Sequence, residues 1–286
     1  MTEVSADGAL GIPLPTLGVL FITFLIACLW IYQRGHAKSW GDLSFFLKSN
    51  PVTWRIASPV INFLIAGWVL ATIVTIGLNL VFADKPELLS RDAQTLLGMI
   101  LHALVQIFMV VCLISHLKKN SIATSQALSQ STSSPTNRFA TALACLVLAI
   151  PVTWAAKVYS LPLLEWAGFT QEDQQSILFL ADDHAPIFLK ATLVFIAVVV
   201  APITEEIFFR GVLLPVLGQK LGLLRAIIYS SLFFALIHFH IPAVLPLFVL
   251  AVYLCLAYCM TRSIMVPIFM HMLFNTITIL GLVHEL

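Results

Sequence analysis

Long apolar runs constrain this chain of 286 residues more than any other feature. A helix needs about 20 apolar residues to cross the hydrocarbon core of a bilayer, whereas a half-buried strand would alternate polar and apolar residues. Because a backbone in lipid must satisfy its own hydrogen bonds, continuous runs of this length predict helices. We therefore expect an all-α, polytopic membrane protein with about eight transmembrane helices, at residues 14–33, 59–83, 95–116, 139–158, 186–217, 223–240, 242–260 and 263–283.

The composition supports a membrane protein and argues against several other classes. Of the residues, 60% are hydrophobic and 10% are charged, compared with about 45–50% and about 25% in soluble domains. The net charge of +1 offers no basic surface for a nucleic acid. The five cysteines lie in apolar runs without a CxxC pair, so neither a disulfide framework nor a zinc knuckle is indicated.

The connections between the apolar runs alternate in charge. Lysine and arginine gather in the first, third, fifth and seventh connections, whereas the fourth, residues 159–185, has five acidic residues and no lysine or arginine. The positive-inside rule places the basic side in the cytoplasm. We expect an integral protein of the bacterial inner (cytoplasmic) membrane with both termini outside. The N-terminus lacks the basic region of a cleaved signal peptide, so the first span should be retained.

Two of the connections have a distinctive composition. Residues 121–138 are rich in Ser, Thr and Gln and predict a flexible cytoplasmic linker between three N-terminal transmembrane helices (1–120) and a core of five (139–286). The first connection contains LSFFLKSNPVTWRI, which predicts a short interfacial helix. Its aromatic residues should lie among the lipid headgroups, where such side chains are enriched: Phe45, Phe46 and Trp54.

Three charged residues lie within the predicted fifth span. Charges inside a bilayer are costly and mark functional sites, so Glu205, Glu206 and Arg210 are candidates. Glu206 and Arg210 are four residues apart, share a helix face and can form an ion pair. Glu205 is rotated by about 100° from Glu206 and meets a different neighbour. We expect Glu206 to be paired and Glu205 to face a cavity.

The sixth and eighth spans contribute further polar groups. His238 follows Phe234 by four residues, and Asn275 follows His271 by four. With a rise of about 1.5 Å per residue, and if the Lys220/Arg225 turn projects about 10 Å into the cytoplasm, Glu205, His238 and His271 all lie near the middle of the membrane. A carboxylate and a neutral imidazole can activate water there, and a second histidine with an amide can stabilise an oxyanion. Glu205, His238 and His271 also suit a divalent metal such as zinc, although the spacing lacks the HExxH signature.

Three motifs in this order resemble a known family. TEEIFFRG fits EExxxR, FALIH fits FxxxH and HMLFN fits HxxxN. Together they are similar to the CPBP (Abi) family of intramembrane proteases, which includes the type II CAAX prenyl endopeptidases and bacterial relatives linked to bacteriocin processing and immunity. The resemblance covers residues 139–283. It implies a glutamate-dependent endopeptidase, historically classed as a metalloprotease, that needs no cofactor.

The resemblance also implies a role for each motif residue. Glu205 would be the general base, helped by His238, with Glu206 and Arg210 as the supporting pair. His271 and Asn275 would form the oxyanion side, and Phe234 would pack beside the site. The substrate would be a membrane-anchored or hydrophobic peptide, such as a prenylated CAAX-like one, within the lipid bilayer.

Two other classes of function remain open on the residues alone. A non-catalytic membrane scaffold or bacteriocin-immunity protein could use the same fold to bind a partner. An ion-coupled transporter could use the buried carboxylates to carry protons, although no inverted repeat is evident in the sequence.

Overall fold

The computed structural model describes residues 40–82, 91–131, 134–169, 179–180 and 185–285. The named elements in these ranges are all helices, which confirms the all-α prediction. We number nine of them in chain order, with the continuous helix over 187–221 counted once: α1 (Trp40–Lys48), α2 (Trp54–Phe82), α3 (Arg91–Lys119), α4 (Thr124–Leu128), α5 (Pro135–Trp166), α6 (Ile187–Leu221), α7 (Leu223–Leu236), α8 (Ile241–Thr261) and α9 (Met265–Glu285).

Seven of these helices correspond to the second to eighth predicted spans. Among the described residues, five are long and apolar enough to cross a membrane, namely α2, α3, α5, α6 and α8, and two apolar helices are shorter, α7 and α9. The first predicted span, residues 14–33, lies outside the described residues. The chain is thus a polytopic helical membrane protein.

Helix α7 is shorter than the predicted span 223–240. It ends at Leu236, and its 14 residues cover about 21 Å, less than the hydrocarbon core of about 30 Å. The chain turns at Phe239, which has a φ of 49°, and Pro242 lies in the first turn of α8. Because these residues reverse the chain early, α7 ends before it has crossed the hydrocarbon core.

Helix α8 is central to the packing. It packs against α5 on one side and α7 on the other, and α9 packs on α5, while α2 and α3 form a hairpin. A large core cluster includes Val212 of α6, Phe234 of α7 and Tyr258 of α8. A smaller cluster joins α5, α8 and α9 through Leu146, Leu254 and Met270.

Helix α1 docks on the bundle more deeply than an interfacial helix would. Phe45 is 69% exposed, as expected, but Phe46 is only 2% exposed and contacts the Tyr258 ring edge-on, with the centroids 5.4 Å apart. The prediction that Phe46 lies among the headgroups is therefore wrong. Gly218 of α6 permits this approach, since a Cβ there would lie 2.8 Å from the side chain of Leu47.

The predicted flexible linker is packed over residues 122–130. Ala127 and Leu128 are buried in the large core cluster. The Leu128 carbonyl accepts a hydrogen bond from the Ile264 amide at 3.2 Å, and the Gln130 amide donates to the Arg262 carbonyl at 2.8 Å. The expectation of flexibility is wrong here because a few apolar side chains anchor an otherwise polar segment. The division of the chain into two domains remains a prediction.

Helix α6 carries two π-helical stretches around the predicted site. They span Ile196–Val200 and Ile207–Leu213 and flank the α-helical turn Ala201–Glu206. Each is followed within two residues by a proline, Pro202 or Pro215, which has no N–H to donate to the helix. Stretches of this kind widen a helix locally and occur frequently at functional sites. The backbone that bears Glu205 and Glu206 is therefore held between two irregular segments.

Candidate active site

Glu206 and Arg210 form a fully buried ion pair. Arg210 Nη1 donates to Glu206 Oε1 at 2.8 Å, and neither side chain is exposed. Arg210 Nη2 donates to the Ala251 carbonyl of α8 at 3.1 Å. The predicted pairing is thus present, and it ties α6 to the central helix. Burial of such a pair is offset only where further hydrogen bonds hold both charges. Ala251 and His271 each supply one, whereas Glu206 Oε2 and Arg210 Nε are buried without a hydrogen-bond partner among the described residues.

His271 of α9 joins this pair. Its Nδ1 lies 2.9 Å from Glu206 Oε1, the oxygen that also accepts from Arg210. Because an ionised carboxylate only accepts hydrogen bonds, His271 carries a proton on Nδ1. The hydrogen bond to Glu206 thereby sets the orientation of the His271 ring. The spacing of the motifs did not predict this contact.

The Phe234 ring lies against the Arg210 guanidinium and against the imidazoles of His238 and His271. Its buried ring lies 4.9 Å from the Arg210 guanidinium carbon. The ring centroids of His238 and His271 lie 5.0 Å and 5.7 Å away. Phe234 therefore packs beside the site as predicted, and a guanidinium on its face gains a cation–π contact.

His238 lies in the turn after α7. Its Nδ1 is 2.7 Å from the carbonyl oxygen of Phe234. A carbonyl can only accept, so Nδ1 carries the proton, and in the neutral ring Nε2 holds a lone pair. This tautomer can accept a hydrogen bond from water.

A cavity of about 610 Å³ brings the remaining groups together. Glu205, His238, His271 and Asn275 all line it, whereas Glu206, Arg210 and Phe234 do not. Asn275 donates from Nδ2 to the Ala197 carbonyl at 2.8 Å, which joins α9 to the first π-helical stretch and leaves its second amide hydrogen without a partner among the described residues. The cavity wall therefore separates the two adjacent glutamates.

The three residues that the sequence offers as metal ligands do not form a compact group. Among the described residues, no three His, Cys, Asp or Glu side chains are grouped closely enough to hold one metal ion. Glu205, His238 and His271 are therefore not grouped as three ligands of one metal ion in this arrangement, and the absence of a cofactor stays a prediction. His271 Nδ1 already contacts Glu206, so only the Nε2 atom of His271 remains for another contact.

The sequence interpretation missed several groups near the site. Thr204 donates to Gln106 Oε1 of α3 at 2.8 Å, so an N-terminal helix supports the residue next to Glu205. Lys157 and Thr153 of α5 and His240 also line the cavity. The sequence contained a signal for Lys157, because it is the one Lys or Arg in the predicted span 139–158.

Comparisons with known proteins agree with the motifs. A family model for the type II CAAX prenyl endopeptidase Rce1-like family matches residues 187–277. The putative membrane peptidase YdiL of Bacillus subtilis (strain 168) is 30% identical over 88 residues, which are 31% of this chain and 36% of YdiL. The chain thus aligns with about a third of the length of this curated relative. No solved structure matches the chain.

The family match contains all seven predicted site residues, but it is shorter than the predicted resemblance of 139–283 and omits α5. Both comparisons cover only part of the chain. Within that part, the resemblance is confirmed: residues 187–277 match the model of the type II CAAX prenyl endopeptidase Rce1-like family.

Proposed function

We propose that this protein is an intramembrane endopeptidase that hydrolyses a peptide bond of a membrane-anchored or hydrophobic substrate. One observation carries the proposal: Glu205 lines a cavity together with the imidazoles of His238 and His271 and the amide of Asn275. Its neighbour Glu206 is held behind the wall by Arg210 and His271. A carboxylate that is not consumed by an ion pair can act as a base on water.

The proposed reaction begins with water between Glu205 and His238. His238 Nε2 accepts one hydrogen bond, and Glu205 takes the proton as the water oxygen attacks the scissile carbonyl carbon. The resulting oxyanion accepts hydrogen bonds from the free amide hydrogen of Asn275 and from His271 Nε2. For this step His271 carries protons on both nitrogens, and its Nδ1 donates to the Glu206 carboxylate, which also pairs with Arg210. The C–N bond then breaks as the proton on Glu205 passes to the leaving amine.

The position of the cavity in the bundle indicates from which side of the membrane the substrate enters. We define the basic end of the bundle as the end where α6 meets α7. The described Lys and Arg at this end are Lys48, Arg55, Lys118, Lys119, Arg138, Lys220, Arg225 and Arg262. Contacts join their segments, such as Gln219 with Asn50 and Gln130 with Arg262. By the positive-inside rule, the basic end is cytoplasmic.

The cavity lies away from the basic end. It is lined by residues late in α5 and α9, such as Leu161 and Ile279, and by residues early in α6 and α8, such as Leu193 and Pro242. These positions all lie toward the opposite end of their helices. We infer that substrate enters from the non-cytoplasmic side or from the adjoining half of the bilayer.

The proposed reaction is tested with purified protein in lipid nanodiscs. A library of hydrophobic peptides is incubated in water enriched in ¹⁸O, and the products are analysed by mass spectrometry. We expect cleavage with one ¹⁸O atom in the new C-terminal carboxylate, and loss of cleavage in Glu205→Gln. Glu165→Gln, an acid outside the cavity, is the matched control. Cleavage that persists unchanged in Glu205→Gln would rule out this mechanism, and a scaffold or immunity protein would show no cleavage at all.

A further inference from the structure

Gln106 is a polar residue on the inward face of the membrane-spanning helix α3. Buried apolar side chains recur along this face at helical spacing: Ala103, Met109, Leu113 and Leu117. Gln106 follows Ala103 by three residues and precedes Leu113 by seven, so it shares the face. A side-chain amide inside a membrane is costly unless it is hydrogen-bonded, commonly to a neighbouring helix. The hydrogen-bond partner of Gln106 therefore indicates its role.

That partner is Thr204 of α6, the residue before Glu205. Thr204 is buried, and its hydroxyl oxygen lies 2.8 Å from Gln106 Oε1. The same hydroxyl lies 2.9 Å from the Val200 carbonyl and 3.1 Å from the Ala201 carbonyl, so its one hydrogen has three acceptors. If the Gln106 amide is turned round, its nitrogen donates to the hydroxyl, which then donates to Val200. Gln106 and Thr204 are hydrogen-bonded in either arrangement.

Glu205 thus lies between two residues that are each bonded to another helix. Thr204 is bonded to α3, and Glu206 accepts a hydrogen bond from His271 of α9 at 2.9 Å. Successive residues of a helix are rotated by about 100°, so the two contacts lie on either side of Glu205, which lines the cavity. The backbone of this turn gives less support, because Pro202 has no N–H and π-helical stretches flank the turn.

We propose that Gln106 is a positioning residue that acts through Thr204 to hold Glu205 in the orientation that activates water. The proposal rests on the proposed hydrolysis at Glu205. Neither Gln106 nor Thr204 lines the cavity, so neither is placed to contact the substrate. Gln106 also lies outside the segment that matches the family, residues 187–277. Helix α3 is thereby part of what the reaction requires.

The test uses substitutions that remove the hydrogen bond with little change in side-chain size. Gln106→Met removes the amide, Thr204→Val removes the hydroxyl, and Thr204→Ser keeps it. Thr192→Val is the matched control, because the Thr192 hydroxyl donates to the Phe188 carbonyl of its own helix. Values of kcat and KM are measured in nanodiscs, well below the unfolding temperature, on a hydrophobic peptide that the parent protein cleaves.

We expect Gln106→Met and Thr204→Val each to lower kcat by about tenfold or more with little change in KM, because a displacement of about 1 Å can cost about 10²-fold in rate. The double variant should lose little more than either single variant, since both substitutions break the same contact. Thr204→Ser should retain most of the activity, and Thr192→Val should leave kcat unchanged.

Exchange of backbone amide hydrogens distinguishes positioning from a general loss of stability. Positioning predicts faster exchange over residues 196–213 in Gln106→Met and Thr204→Val, with exchange in α8 as in the parent protein. This measurement needs no cleavage. It therefore reports on Gln106 even if the parent protein hydrolyses no peptide, the result that would count against the proposed function alone.

Two results would overturn the role of Gln106. One is an unchanged kcat in both Gln106→Met and Thr204→Val. The other is exchange that accelerates equally in α8 and in residues 196–213, which would mark a purely structural contact. If Gln106→Met does not elute as a single species, Thr204→Val decides the question, because valine has nearly the shape of threonine.

Discussion

Glu205 and Glu206 are adjacent in the chain, yet only Glu205 lines the cavity. Glu206 is completely buried and accepts hydrogen bonds from Arg210 at 2.8 Å and from His271 at 2.9 Å. Glu205 lies on the cavity surface with His238 and Asn275. Two identical side chains therefore have different surroundings, and their substitutions should have different consequences.

The first prediction separates the two glutamates. Glu206→Gln leaves the Arg210 guanidinium buried without its counter-charge, so we expect a loss of stability of about 3–5 kcal/mol. Glu205→Gln breaks no described ion pair, so we expect little loss of stability but no cleavage. Thermal unfolding in detergent measures the stability of each variant, and a peptide cleavage assay measures its activity. Equal destabilisation by both substitutions would contradict the assignment.

The second prediction concerns the docking of α1. A Cβ at Gly218 would lie 2.8 Å from both Cβ and Cδ1 of Leu47, and the Cβ cannot rotate away. Gly218→Ala should therefore destabilise the protein by about 1–3 kcal/mol through overpacking. Leu47→Ala creates a cavity by itself but should restore part of the stability in the Gly218→Ala protein. A double-mutant cycle on unfolding temperatures measures this coupling, and strict additivity of the two losses would show that the helices do not touch.

The third prediction concerns orientation. In a protein whose five native cysteines are replaced, Leu161→Cys near the cavity should react with an impermeant maleimide added outside intact cells. Leu221→Cys at the basic end should react only after the membrane is opened. The reason is the excess of Lys and Arg at the basic end. The reverse pattern of labelling would show that the cavity opens toward the cytoplasm and would contradict the proposed entry of substrate from the other side.

The fourth prediction concerns metal dependence. Glu205, His238 and His271 are not grouped as metal ligands, so we expect cleavage to persist after treatment with a chelator. Elemental analysis of the purified protein should then find well under one zinc per chain. A zinc enzyme would instead lose activity with the chelator, regain it with added zinc and bind about one metal ion per site.

Much of the site follows from helical spacing within single segments. Glu206 and Arg210 pair because they are four residues apart on one helix, and the same geometry rotates Glu205 onto another face. The rings of Phe234 and His238, also four residues apart, have centroids 5.0 Å apart and are tilted by 52°. Such local relationships hold wherever the helix is placed, so the sequence predicts them.

Contacts between segments could not be predicted in this way. The bond from His271 to Glu206 rather than to Glu205 depends on how α9 is rotated against α6. The packing of residues 122–130 depends on a few apolar side chains that find a place on the bundle, which average composition does not reveal. The early end of α7 depends on the turn at Phe239 before Pro242.

The sequence by itself thus determined the helical membrane class, the family resemblance of residues 187–277 and which of the two glutamates pairs with Arg210. The tertiary structure alone decided which side chains share the cavity, including Lys157 of α5. The physical reason is that helix periodicity sets the face on which a side chain lies. Packing against the neighbouring helices decides what that face meets.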